Sequence, residues 1–197
     1  MLYLVIGPSG VGKGELTKDA EKNLKNVYSE EMDELIRNSD RLLYYTGNRW
    51  EAFWDKTLEC IKKLESKYPG DNKLCLVDIG AGSLKSSKAL DYFKKHRDIT
   101  ISIIDSPEQA FEHAKLKKDT AWRNKTLKEY EDEEFSPERM KIYETAKPKH
   151  RFDIEKRNLP KATECFAEWV DSTLKGNTSP NVSHSTHPRR WRGSADR

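Results

Sequence analysis

The chain has little cysteine. Cys60, Cys75 and Cys165 are scattered over 197 residues and form no CxxC. An odd, dispersed set excludes a disulfide framework and a cysteine-held zinc, and reads as reduced thiols of a cytoplasmic protein. Charge of one sign is also lacking: 36 Lys and Arg stand against 33 Asp and Glu, a net of +3. A dedicated nucleic-acid binder carries a lopsided basic footprint, so nucleic acid is not expected as a partner. No long hydrophobic run exists. The opening "MLYLVIGPSG" has an apolar run only over Leu2–Ile6, with no basic stretch before it. That is too short for a secretory leader or a membrane span, so no membrane partner is expected and a buried strand fits instead. Histidines with ligand spacing are missing too: His96, His113, His150, His184 and His187 stand apart and are assigned no chemistry. No internal repeat is visible.

Five Trp, eight Tyr and six Phe are too many aromatics for a chain disordered throughout. The length suits one domain with a sizeable core. Short apolar runs at Leu2–Ile6, Leu74–Ile79 and Ile99–Ile104 predict buried strands, with weaker ones at Asn26–Ser29 and Arg151–Ile154. Helical spacing follows at Glu15–Leu24, Trp50–Tyr68, Leu84–Phe93, Pro107–Leu116, Pro137–Thr145 and Lys161–Leu174. Strands alternating with helices predict an α/β fold with a mainly parallel sheet covered on both faces. Ligands of such folds bind outside the carboxyl ends of the strands. That edge would gather Gly7–Gly14, Ser29–Asp33, Asp78–Ser83 and Asp105–Pro107. The charge-dense stretch Lys115–Glu134 reads as a mobile or solvent-facing helical segment, and residues 176–197 as a disordered tail behind a domain of residues 1–175.

"GPSGVGKGEL" places Gly7, Ser9, Gly10, Val11, Gly12, Lys13, Gly14 and Glu15 directly after the first strand. Glycines let backbone N–H groups turn inward onto phosphate oxygens. The following helix adds its positive end, and Lys13 would bridge the β- and γ-phosphates. The pattern GxxxxGK in this context predicts a nucleotide phosphate loop. The hydroxyl that usually follows the lysine is missing, because Gly14 and then Glu15 stand there. Adenylate kinases are similar in having glycine after the lysine, but follow it with Thr. Two readings stand. Either Mg²⁺ is held by water and other carboxylates, or phosphoryl transfer is lost and nucleotide is merely bound.

"EMDELI", "NRWEAFWDKTLECI", "LVDIGAGS", "ITISIIDSPEQAFEH", "SPERMKIYETA" and "FDIEKRNLP" follow the loop in that order. Their order and spacing, over roughly Leu2 to Leu174, resemble shikimate kinase and its relatives among small P-loop kinases. The resemblance implies a three-layer α/β/α fold with a five-stranded parallel sheet, a mobile helical lid near residues 115–134, ATP and Mg²⁺, and transfer to a hydroxyl of a small acceptor. By the same resemblance Glu31 and Asp33 fall on the family's acidic pair, with Asp33 gripping the acceptor hydroxyl. Gly80, Ala81 and Gly82 fall on its glycine triplet, and Arg123 on the lid arginine that reaches the phosphates. Arg139 matches the arginine that binds the acceptor's carboxylate, and Arg157 and Asn158 border the adenine.

One departure bears on the acceptor. The family's second carboxylate-gripping arginine follows a phenylalanine, and here Trp54 follows Phe53. Tryptophan cannot replace a bidentate arginine–carboxylate contact, so shikimate itself is not the expected acceptor. Trp50 and Trp54, four apart, share a helix face and form either an aromatic wall for the acceptor or ordinary core packing. Asp78, at a strand end beside the loop, reads as a metal-orienting carboxylate or a turn cap, and Asp33 as a site residue or a helix N-terminal charge. Two further function classes stand beside the kinase. One is a nucleotide-binding regulatory module, motivated by Gly14 and Trp54. The other is a guanylate-type kinase, which the loop alone also resembles.

Overall fold

The computed structural model describes residues 1–45, 49–69, 73–116, 122–154 and 159–174. Five strands form one parallel sheet in the order β2-β3-β1-β4-β5: β1 (Leu2–Ile6), β2 (Val27–Glu31), β3 (Leu74–Asp78), β4 (Thr100–Ile104) and β5 (Arg151–Asp153). The predicted strands are all present, and β2 runs two residues further than its weak apolar signal, to Glu31. The reason is register: Glu30 and Glu31 pair with Val77 and Asp78 of the neighbouring strand, so the backbone ladder extends the strand beyond its apolar part.

Alternation along the central strands builds two cores. Leu2, Leu4 and Ile6 of β1 face one side of the sheet with Cys75 and Val77 of β3, while Val5, Leu74 and Leu76 face the other. Each fully buried aliphatic side chain contributes roughly 1.5–3 kcal/mol. One face is covered by α1 (Lys13–Asn23), α6 (Pro107–Leu116), α7 (Leu127–Glu134) and α9 (Leu159–Leu174). The other is covered by α2 (Met32–Ser39), α4 (Trp50–Lys67), α5 (Ala89–Lys95) and α8 (Pro137–Tyr143), with the short α3 (Arg41–Tyr45) beside α2.

Three expectations need correction. The segment Leu84–Phe93 is not one helix: a 3₁₀ turn at Ser83–Lys85 precedes α5, and Glu51 of α4 binds Ser86 and Ser87 between them. The stretch Lys115–Glu134 is not solvent-facing throughout. Trp122, Tyr130 and Glu134 are buried, and α7 starts at a capping box in which Thr126 and Glu129 satisfy each other's backbone N–H groups. Trp54 is not a wall residue: it is 1% exposed, edge-on to Tyr92 at 5.3 Å and near Phe93 at 5.9 Å. The tail at 176–197, and Arg157 and Asn158, lie outside the described residues.

Candidate active site

The phosphate loop turns between β1 and α1. Gly12 caps α1 in the left-handed conformation at φ +82°, and Gly10 is left-handed at +88°. A side chain at Gly10 would sit 2.0 Å from the carbonyl oxygen of Ala110, so α6 packs onto bare backbone there. Lys13, 7% exposed, folds back over the loop it closes. Its Nζ donates to the carbonyl oxygens of Gly7 (3.1 Å) and Pro8 (3.2 Å) and lies 3.8 Å from Asp78 Oδ1. An ammonium held by two carbonyls, with a carboxylate at looser range, is a cation available to an anion at the loop mouth. Glu15 is exposed to solvent.

The acidic residues cluster at the same sheet edge. Asp78 ends β3, and its Oδ2 lies 3.4 Å from where a Cβ on Gly14 would stand. The space that a Ser or Thr hydroxyl would share is therefore bordered by a carboxylate. Asp33, in the first turn of α2, lies against Gly80: a Cβ there would fall 2.0 Å from Asp33 Oδ1. Glu31 instead turns outward to Lys18 at 3.2 Å, which raises the lysine's pKa through hydrogen bond and charge. Asp78 and Asp33 are oxygen donors of the kind that Mg²⁺ takes. The described residues contain no group of three or more His, Cys, Asp or Glu placed to hold a metal.

The turn Gly80–Gly82 is fixed against α4. A Cβ on Gly82 would lie 3.7 Å from the Trp50 ring, and Thr57 Oγ1 shares a 2.9 Å hydrogen bond with Ser83 Oγ. Trp50 is half-buried here, whereas Trp54 is sealed in the core. Lys85 Nζ lies 4.4 Å over the Trp50 ring and 2.6 Å from Glu133, which also accepts from Lys125 at 3.2 Å. These two lysines hold the Glu133 pKa below the usual carboxylate value, although burial opposes them.

Arg139 is 5% exposed, with Nη1 donating to Glu134 Oε2 at 3.3 Å. Burial works against its charge, but Glu134 and Tyr143 more than offset this, and its pKa lies above the ordinary arginine value. Glu134 also accepts from the Ser9 N–H at 3.0 Å and from Ser9 Oγ at 3.3 Å. Tyr130, one turn earlier on α7, donates to the Ser9 carbonyl oxygen. Arg123 is exposed in the turn before α7.

The structure thus gathers Lys13, Gly14, Asp78, Asp33 and Gly80 at one edge, and sets Arg139 behind the loop. It turns the Glu31 carboxylate to Lys18, seals Trp54 in the core and leaves Arg123 exposed. Sequence reasoning missed Glu134, Tyr130, Lys85 and Glu133. The signal for the first two was the spacing Leu127–Tyr130–Glu134, a helix face inside an acidic run.

No family model matches the chain, and no curated protein matches it in sequence. Solved structures do match in shape. The shikimate kinase of Bacteroides thetaiotaomicron superposes with a TM-score of 0.64 at 16% identity, over 89% of this chain and 98% of its own. The shikimate kinase of Acinetobacter baumannii, in complex with shikimate, gives 0.62 at 17%, over 90% and 93%. A tunicamycin resistance protein of Deinococcus radiodurans gives 0.57 at 13%, over 86% and 94%. At these identities the likeness is one of fold: the chain has the kinase-like P-loop fold seen in the shikimate kinases. Among the described residues no helix is long and apolar enough to cross a membrane.

Proposed function

We propose that the chain is an ATP-dependent phosphotransferase that acts on a hydroxyl of a small anionic acceptor, built on the shikimate kinase plan but not acting on shikimate. The observation that carries this is the shared sheet edge. There Lys13, closed over the phosphate loop, lies 3.8 Å from Asp78, while Asp33 is pressed against Gly80, two residues after Asp78. Phosphoryl transfer asks chiefly for positioning and charge neutralisation, which is what a lysine, a loop of amides and oriented carboxylates supply.

In this reading the loop amides of Gly10–Gly14 cradle the phosphates while the Ser9 N–H stays on Glu134, and Lys13 leaves the Gly7 and Pro8 carbonyls for the β- and γ-phosphate oxygens. Mg²⁺, held by Asp78 and Asp33, would supply further neutralisation of the phosphate oxygens. Asp33 orients the acceptor hydroxyl and takes its proton, with Gly80, Ala81 and Gly82 leaving room for the acceptor beside it. Arg139, whose Nη2 is buried behind the loop, would reach the acceptor's anionic part through a shift of its side chain. Arg123, exposed in the turn before α7, would turn toward the phosphates while α7 stays fixed, and Arg157 and Asn158 would border the adenine. Because Trp54 is core, the acceptor has no arginine from that helix turn, which argues against shikimate. Three unpaired cysteines, two of them buried, suit a cytoplasmic setting.

The test is ADP release with ATP and Mg²⁺ over a panel of small hydroxy acids, sugars, nucleosides and hydroxylated peptides. Saturable turnover on an anionic member, lowered about a hundredfold or more by Lys13→Ala, is the expected result. Tight ATP binding with no turnover on any member would replace the kinase by a nucleotide-binding regulatory module.

A further inference from the structure

Every polar group of Ser9 is engaged by one helix. Its N–H and its hydroxyl both donate to the Glu134 carboxylate, and its carbonyl oxygen accepts from Tyr130. Tyr130 and Glu134 are four residues apart and so lie on one face of α7. Ser9 is the third residue of the phosphate loop, and the loop cannot rotate there without breaking three hydrogen bonds to α7.

The supports behind Ser9 are themselves fixed. Tyr130 is fully buried, edge-on to Trp122 at 4.9 Å and packed on Phe111 at 5.3 Å. Glu134, 1% exposed, is matched by Arg139 Nη1 at 3.3 Å. The other nitrogen, Nη2, is buried with no hydrogen-bond partner. A buried ion pair is a poor stabilising device, since an apolar pair of similar volume often does as well or better. Its placement against the loop calls for another role.

We propose that Glu134 is a positioning residue for the phosphate loop. It fixes Ser9 so that the amides from Gly10 to Lys13 face phosphate before nucleotide arrives, and through Arg139 it ties the loop to the acceptor side. The loop-fixing part follows from the hydrogen bonds alone. The tie to the acceptor rests on the function proposed above. Preorganising amides in this way strengthens binding by removing the ordering that would otherwise accompany it.

The test uses the full chain and three readouts: the urea midpoint, amide hydrogen exchange of the loop peptide around Ser9 without nucleotide, and the Kd of a fluorescent ATP analogue. The paired variant Glu134→Met with Arg139→Met removes both buried charges together. Its urea midpoint should stay near or above that of the parent, its loop exchange should rise about tenfold with β1 and β3 peptides unchanged, and its Kd should rise about tenfold. The pair Glu134→Gln with Arg139→Met keeps a carbonyl acceptor for the Ser9 N–H and should restore loop exchange toward the parent. Parent-like loop exchange in the Met pair overturns the proposal. Should the Met pair not fold, Glu134→Asp, which withdraws the charge by one methylene, must raise loop exchange, and parent-like exchange there overturns it equally. A parent that binds no analogue would sink the kinase reading, while loop exchange still decides the role of Glu134.

Discussion

Position 54 and position 80 show how single residues divide the labour between core and site. Trp54 fills a closed space against Tyr92 and Phe93, so Trp54→Ala should lower stability by roughly 3–5 kcal/mol through the cavity it leaves. Trp54→Arg should do no better, because a guanidinium there meets rings and no counter-charge. Urea midpoints at unchanged slope check both. Gly80→Ala makes the opposite prediction. Its methyl would fall 2.0–2.5 Å from the Asp33 carboxylate, the movable end of a side chain, so stability should change little. Asp33 must move, however, and under the proposed mechanism kcat should fall about a hundredfold, with the ATP-analogue Kd unchanged. The sequence already showed that position 54 departs from the shikimate kinase pattern. It could not show that Trp54 is sealed and Trp50 half-open, because a four-residue spacing gives a shared face without saying how far the neighbouring helix covers it.

Among the elements, α7 differs most from its sequence reading. An acidic run with no strand signal reads as solvated, since local composition cannot reveal that one carboxylate is met by an arginine five residues on. The strands were legible as short continuous apolar runs, and the long helices because their apolar period of 3.6 was uninterrupted. The phosphate loop was legible because its glycines are dictated by local backbone geometry. The Glu134–Ser9 contact joins residues 125 apart in sequence and leaves no local trace. The integrity of α7 then depends on its start. Thr126→Ala removes the cap that receives the Glu129 N–H, and should cost about 1 kcal/mol. Because Tyr130 and Glu134 hang from this helix, hydrogen exchange should also rise in the phosphate loop. A change confined to residues 126–130 would show that α7 and the loop move independently.

For the molecule as a whole, titration of buried groups sets the response to solution conditions. Cys75 lies in the middle of the sheet and burial pushes its thiol up to about 12, while burial raises Cys60 in α4 as well. In the folded protein a thiol reagent should therefore label Cys165 first, and the other two at the rate of global opening, which a denaturant series would read. His150 makes the case for protons. It is 2% exposed, stands edge-on to Tyr3 at 5.6 Å, and has its pKa lowered by burial and then by the neighbouring Lys149. The unfolded chain takes up this proton near the ordinary histidine value, and the folded chain only at lower pH. Below that value the unfolded state binds more protons, so stability falls as pH drops through it, and levels off below the folded pKa. Melting temperature should accordingly decline from pH 7 toward pH 5, and His150→Gln should flatten that slope by removing the group that titrates. An equal slope in the variant would move the effect to other groups. The carboxylates at Glu51, Glu129 and Glu133, whose pKa values are lowered by hydrogen bonds and neighbouring lysines, lose their contribution only on further acidification, below the ordinary carboxylate value.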